Sequence, residues 1–298
     1  RRQALVTAGA IGSLGLTDLL RADAKKPRRD KSDHSVILLW MRGGPSQHET
    51  WDPKPDAPVE FRGAFGAMNT NVAGIQICDR LPQCAKVQDR WSIIRSLYHD
   101  NAGHSAGDQI VFTGYKPGPD PNVNIHPSCG SVVSEQLGYL SPELPSYVMI
   151  PRQVPGTDAA YLGAAHKPFE TLTDPARPGT FKMQNFTLQE TISNSRFLNR
   201  KALLSDFDTM RRDLDSTGQM DSLSTFQQRA YGILTSDKTR EAFDIESETQ
   251  ATRERYGFVE KYNPMDPRRC SASAFNQRFL LARRLVESGV RLVTVDCR

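Results

Sequence analysis

The sequence predicts an α/β fold built on a sheet of mostly parallel strands flanked by helices. Three observations carry this reading: continuous apolar runs of strand length, amphipathic stretches of helical period, and a helix, glycine, strand succession around Gly289. Apolar runs without polar alternation mark strands covered on both faces, as in parallel sheets with helices packed on each side. The 298 residues are enough for one large α/β domain or two small ones. With 38% hydrophobic and 24% charged residues, the composition excludes a disordered or fibrous chain. The net charge of +4 lies partly in the stretch Lys25, Lys26, Arg28, Arg29, Lys31, so the body gives no argument for nucleic acid as a partner.

In chain order, Arg1-Arg2 precedes a mildly apolar segment from Ala4 to Leu20, with small residues at Ala22-Asp23-Ala24. This reads as a twin-arginine signal over residues 1–24, followed by a charged linker over 25–34. The mature protein is then expected in the periplasm or cell envelope. No later apolar run approaches the ~18–20 residues that cross a bilayer. Residues 35–298 carry the fold, which is expected to be incomplete at its C-terminus. Val36 to Met41 reads as a central parallel strand, and shorter strands are expected at Ile93-Ile94 and Tyr147 to Ile150. Ser128 is placed to cap a helix from Cys129 to Leu137.

A long polar insert, about residues 187–260, is expected to be helical. Leu204, Phe207, Met210 and Leu214 form one stripe of threes and fours, and Leu223, Phe226, Ala230 and Ile233 form another. A helix from Ala274 to Glu287 with Phe275, Phe279, Ala282 and Val286 on one side ends at Gly289 and feeds a strand from Val290 to Val295. Cys78, Cys84, Cys129, Cys270 and Cys297 include no C-x-x-C pair. Cys78 and Cys84 can be read as a bridge or as buried thiols.

Two loops can carry chemistry. Gly43-Gly44 follows the first strand and opens a segment holding His48, Glu49 and Asp52, whose nitrogen and oxygen donors suit a divalent metal or serve only to fasten the loop. The block His99 to Asp108 contains His104 and Ser105 at the expected start of a helix that ends at Thr113-Gly114. There a serine is either a nucleophile beside a histidine base or an ordinary N-cap. Asp296 ends the last strand, where open α/β sheets bind ligands. His126 and His166 stand alone and read as structural.

These segments resemble the family called domain of unknown function 1501, exported bacterial proteins similar to the alkaline phosphatase and sulfatase superfamily. The residues that carry the resemblance are Trp40 to Lys54, Gly103-His104-Ser105-Ala106-Gly107, Thr113-Gly114-Tyr115, Leu162-Gly163-Ala164 and Leu281 to Val290. The resemblance implies an alkaline-phosphatase-like sheet, Ser105 near the superfamily's nucleophile position, and a divalent ion (zinc, calcium or magnesium) held by His48, Asp52 and Asp296. It also implies a small-molecule or polysaccharide ester as substrate. Two departures stand out: Arg42-Gly43-Gly44 replaces the superfamily's first-strand aspartate, and the Cys-x-Pro-x-Arg pattern of sulfatases is absent. A metal-dependent hydrolase of phosphate or sulfate esters and a non-catalytic envelope protein binding a sugar or anion are both open at this stage.

Overall fold

The computed structural model describes residues 34–183, 236–257 and 276–297. The first strand, β1 (Val36–Trp40), is followed by a short antiparallel hairpin, β2 (Ala67–Asn69) and β3 (Gln76–Cys78), and a single turn of helix, α1 (Pro82–Ala85). Next come α2 (His104–Thr113), α3 (Cys129–Leu137), β4 (Tyr147–Ile150) and β5 (Phe169–Glu170). The chain then supplies α4 (Asp237–Phe243), α5 (Gln250–Tyr256), α6 (Asn276–Ser288) and β6 (Leu292–Asp296). Among the described residues the main sheet has the order β1-β6-β4-β5, and each of its pairings is parallel. The fold is thus α/β, a mostly parallel sheet flanked by helices.

β4 and β6 form the middle of the sheet and are covered on both faces. On one face Val148, Ile150, Val293 and Val295 join Phe243, Leu280, Leu281 and Leu285 of α4 and α6 in a single apolar cluster. On the other, Tyr147, Met149 and Leu292 meet Phe112 of α2 and Val154, with Val133 of α3 against them. Each such side chain, fully buried, contributes about 1.5–3 kcal/mol. α3 lies on β4 so closely that a Cβ at Gly130 would enter the Tyr147 ring. Its first turn is capped as expected, Ser128 Oγ accepting from the Ser131 amide at 3.1 Å. At its other end the buried Arg291 donates to Gly138 O (2.9 Å), joining helix to strand.

Several expectations are corrected. β1 is an edge strand of the described sheet rather than its centre, paired with β6 alone, and Val36, Ile37 and Leu39 are exposed at 53%, 37% and 50%. The middle positions belong to β6 and β4. Ile93-Ile94 forms no strand: residues 91–99 have neither helix nor ladder, and Ile94 and Leu97 are exposed. On α6 the expected stripe is borne out at Ala282, which is wholly buried, with Phe279 and Val286 partly covered against the same core, and the buried face extends further to Arg278, Leu280, Leu281 and Leu285. Phe275 and both stripes of the 187–260 insert lie outside the described residues; within that insert, α4 and α5 are helical. Cys78, Cys84, Cys129 and Cys297 are free thiols, with Cys78 buried, so the bridge reading of Cys78 and Cys84 fails. Cys270 lies outside the described residues. No helix among the described residues is long and apolar enough to cross a membrane.

Candidate functional site

The carboxyl ends of β1 and β6 lie side by side, Trp40 opposite Asp296 in register, with Cys297 N donating to Trp40 O at 2.8 Å. From this edge the chain turns at Gly43 and Gly44, both with positive φ (100° and 71°), a conformation open to glycine and strained for other residues. Just before the turn, Arg42 Nε donates to Asp108 Oδ2 (2.9 Å), while Trp40 Nε1 donates to Asp108 Oδ1 (3.1 Å). Asp108 belongs to α2 and is buried, so Trp40, the last residue of β1, and Arg42, two residues beyond it, hold the helix over the strand ends. The loop after β4 presses from the other side. Gly156, at φ 93°, brings its backbone so close that a Cβ there would lie 2.7 Å from Asp108 O. Burial pushes the Asp108 carboxyl above its ordinary range, and the charge of Arg42 and the bonds from Trp40 and Arg42 only partly offset this.

The N-terminus of α2 shows that Ser105 is not its N-cap. The N-cap is Gly103, no side chain among the described residues caps the first-turn amides, and Ser105 sits one residue inside the helix. Upstream, Asn101 Oδ1 accepts from Gly103 N (2.9 Å), and His99 Nδ1 accepts from Asn101 N (3.4 Å). The His99 ring lies over Gly107, its Cε1 3.3 Å from where a Cβ would stand. Lys116 donates to Asp100 (2.7 Å) and holds that carboxyl below its ordinary value. Ser105 Oγ, half-buried, donates to Asn122 Oδ1 at 3.0 Å. His104, its exposed neighbour, is near enough for its charge to favour the ionised form of Asp108. Uncapped amides and the helix dipole make this end of α2 favourable for negative charge.

The loop of His48 and Asp52 is built differently. A 3-10 turn at Gln47–Glu49 is capped by Ser46 Oγ, which accepts from His48 N at 3.3 Å. Glu49 Oε1 accepts from Ala64 N (3.1 Å), and Thr50 O accepts from Cys78 N of β3 (2.9 Å). Asp52 is engaged by Lys54 and by Arg95 (3.3 Å), whose guanidinium also donates to Trp51 O and Gln76 O. The Asp52 carboxylate therefore fastens loop to hairpin. His48 Nδ1 is buried and has no hydrogen-bond partner among the described residues.

Asp296 is locked through its backbone. Arg278 of α6, 5% exposed, donates to Asp296 O and forms a two-pronged bond to Asp174 (Nε to Oδ1 2.8 Å), drawing together the ends of β5, β6 and α6. Burial and then the Asp296 charge push the neighbouring Cys297 thiol up to about 11, which leaves it an inert group.

Through Asp108, which accepts from Trp40 standing opposite Asp296 in register, α2 is tied to the carboxyl ends of β1 and β6. No hydrogen bond or ion pair among the described residues joins His48 or Asp52 to His104 or Ser105. No three His, Cys, Asp or Glu side chains converge as a metal cluster among them either. A divalent ion needs several oxygen or nitrogen donors at once. Here Asp52 is engaged by Lys54 and Arg95, and the expected ligands His48, Asp52 and Asp296 form no cluster of three such side chains among the described residues, so they do not by themselves assemble a site for such an ion. Sequence reasoning missed Asn122, Arg278 and Asp174. Asn122 lies 17 positions from Ser105 in a proline-rich loop, whereas Arg278 and Asp174 are 104 residues apart with no local signal.

No curated protein and no solved structure matches the chain. A family model described as "Protein of unknown function (DUF1501)" matches residues 33–298, and the chain belongs to that family.

Proposed function

We propose that the carboxyl edge around α2 binds the charged group of a phosphate or sulfate ester, with Ser105 as the attacking hydroxyl. The observation that carries this reading is the release of Ser105 from capping. Its hydroxyl is held by Asn122 beside amides that no side chain among the described residues caps. An anion seated there would gain from those N–H donors and from the helix dipole. Ser105 Oγ would bond to phosphorus or sulfur as the ester oxygen departs with a proton, and water would then cleave the seryl ester and restore the hydroxyl. His104 is the adjacent candidate for moving that proton. The donor geometry lends no support to the expected divalent ion, and no step is routed through one. Export by the Arg1-Arg2 signal to the periplasm, and a small-molecule or polysaccharide ester as substrate, complete the proposal.

A second reading, binding without turnover, is favoured by one feature: Arg42 stands where the superfamily carries an aspartate, and it is spent on Asp108. The two readings part in one experiment. With p-nitrophenyl phosphate and p-nitrophenyl sulfate as probes, the hydrolase reading expects turnover that Ser105→Ala lowers by about 10³-fold or more while inorganic phosphate still binds. Phosphate binding with no turnover by the unaltered protein selects the second reading. Neither binding nor turnover ends both.

A further inference from the structure

We infer that Asn122 is a positioning residue for Ser105 and that Asp120 sets the orientation of its amide; this rests on the nucleophile reading above. Asp120 Oδ1 accepts from both the backbone N (2.9 Å) and the side-chain Nδ2 (3.2 Å) of Asn122. An ionised carboxylate only accepts hydrogen bonds, so it selects the amide nitrogen and turns Oδ1 the other way, toward Ser105. Oδ1 is purely an acceptor, so the Ser105 hydroxyl spends its single proton there at 3.0 Å. Both lone pairs of Oγ are thereby left facing away from Asn122 and free to meet an electrophile. An amide oxygen does not take a proton at neutral pH, so Asn122 aims the hydroxyl without acting as its base.

A loop fastener would use the same bond, but the loop is already fastened elsewhere. Gln109, 1% exposed and one helical turn beyond Ser105, donates from Nε2 to Pro121 O (2.7 Å) and Val123 O (3.1 Å), bracketing Asn122 on both sides. Gly156 N donates to Asn124 Oδ1 (2.9 Å), tying the same loop to the segment after β4. The Ser105 to Asn122 bond is solvent-exposed. An exposed bond next to a buried, doubly bonded glutamine contributes little to folding, which leaves orientation as its effect.

The test uses the full chain and an alkyl fluorophosphonate. Ser105 Oγ forms an O–P bond, the P–F bond breaks, fluoride leaves and the hydroxyl proton passes to solvent; the modified peptide is then quantified by mass spectrometry. Asn122→Ala is expected to slow labelling about tenfold, the scale of a lost orienting contact, with Tm unchanged. Asp120→Asn, which removes the preference between amide orientations, should slow it less. Asn122→Asp places a carboxylate against the hydroxyl, so its labelling rate should rise with pH through the carboxylate range, a profile that loop fastening would not produce. Wild-type labelling rates in Asn122→Ala, or a flat profile in Asn122→Asp, overturn the positioning role while leaving Ser105 a nucleophile. Absence of label on Ser105 in the unaltered protein overturns the nucleophile reading itself.

Discussion

β4 and β1 are both short runs of apolar residues, yet all four residues of β4 are buried while three of the five in β1 are exposed. Two of the three exposed residues share one face, while Val36, at the start of the strand, is exposed on the other. Leu38 and Trp40 of β1 pack with Phe112 and Leu292 on the α2 side, Trp40 edge-on to Phe112 at 4.9 Å. Ile37 and Leu39, which point the opposite way by the two-residue period of a strand, remain exposed among the described residues. β4 has α6 behind Val148 and Ile150 and has α2 and α3 in front of Tyr147 and Met149. A continuous apolar run thus records the cover a strand is suited to, and the cover itself comes from elements distant in sequence.

The largest expected contrast comes from truncating one residue in each strand. Ile150→Ala should cost about 2–5 kcal/mol, since Ile150 is wholly buried in the α6 cluster and its neighbours cannot close the cavity. Leu39→Ala, at a half-exposed site, should cost about 0.5 kcal/mol or less. Urea titrations of both variants, read as midpoint shifts at constant slope, make the comparison. Equal losses would mean that the outer face of β1 is covered and would erase the difference.

A smaller effect sharpens the β4 side. Gly130→Ala puts a methyl group into the space of the Tyr147 ring, which is fully buried between α3 and the sheet and has little room to yield. Overpacking of this kind costs about 1–3 kcal/mol. The control is Gly74→Ala, where a Cβ meets nothing within 4 Å and the cost arises only from its φ of 79°. If thermal melting shows the Gly130 variant no less stable than the Gly74 variant, α3 does not lie against β4 as described.

The same contrast separates what was legible in the sequence from what was not. The strand at Tyr147 to Ile150, the helix from Cys129 with its Ser128 cap, and the helix, glycine, strand succession around Gly289 were readable because each is specified by neighbours in the chain. The strand order was not, because it depends on which of several similar runs lies in the middle. Ile93-Ile94 looked like a strand and β1 looked central on the same ground, apolar composition, which does not tell whether a run finds no ladder partner, as at Ile93-Ile94, or one, as in β1. At the site, the block from His99 to Asp108 was visible as a cluster of polar groups. That Asp108 would be tied to Arg42, 66 positions away, and Ser105 to Asn122 was decided by packing. The capping alternative for Ser105 failed over a shift of two positions, Gly103 taking the cap.

The smallest expected effect concerns the covered side of β1, which Asp108 closes by accepting from Trp40 and Arg42. Burial raises the Asp108 pKa above its ordinary 3.8, and the opposing contributions of Arg42, Trp40 and His104 make the net penalty modest. A carboxyl whose folded pKa is raised binds its proton more tightly in the folded state. Its contribution to stability is therefore fully present below pH 3.8 and is lost as pH rises through the raised value. Asp108→Asn keeps an acceptor for Trp40 and does not titrate, so it serves as the reference. The stability of the unaltered protein minus that of the variant should fall as pH rises across this window and then level off. The variant also leaves Arg42 without its counter-charge, but that guanidinium stays protonated throughout, so its cost enters as a constant offset and not as a slope. Chemical denaturation of both proteins at intervals across the acidic range gives the difference directly. A difference that grows with pH would mean that Arg42 outweighs burial and that β1 is held to α2 by a net favourable ion pair. A flat difference would mean that Asp108 is solvated, and the covered side of β1 would then be as open as the side that carries Ile37 and Leu39.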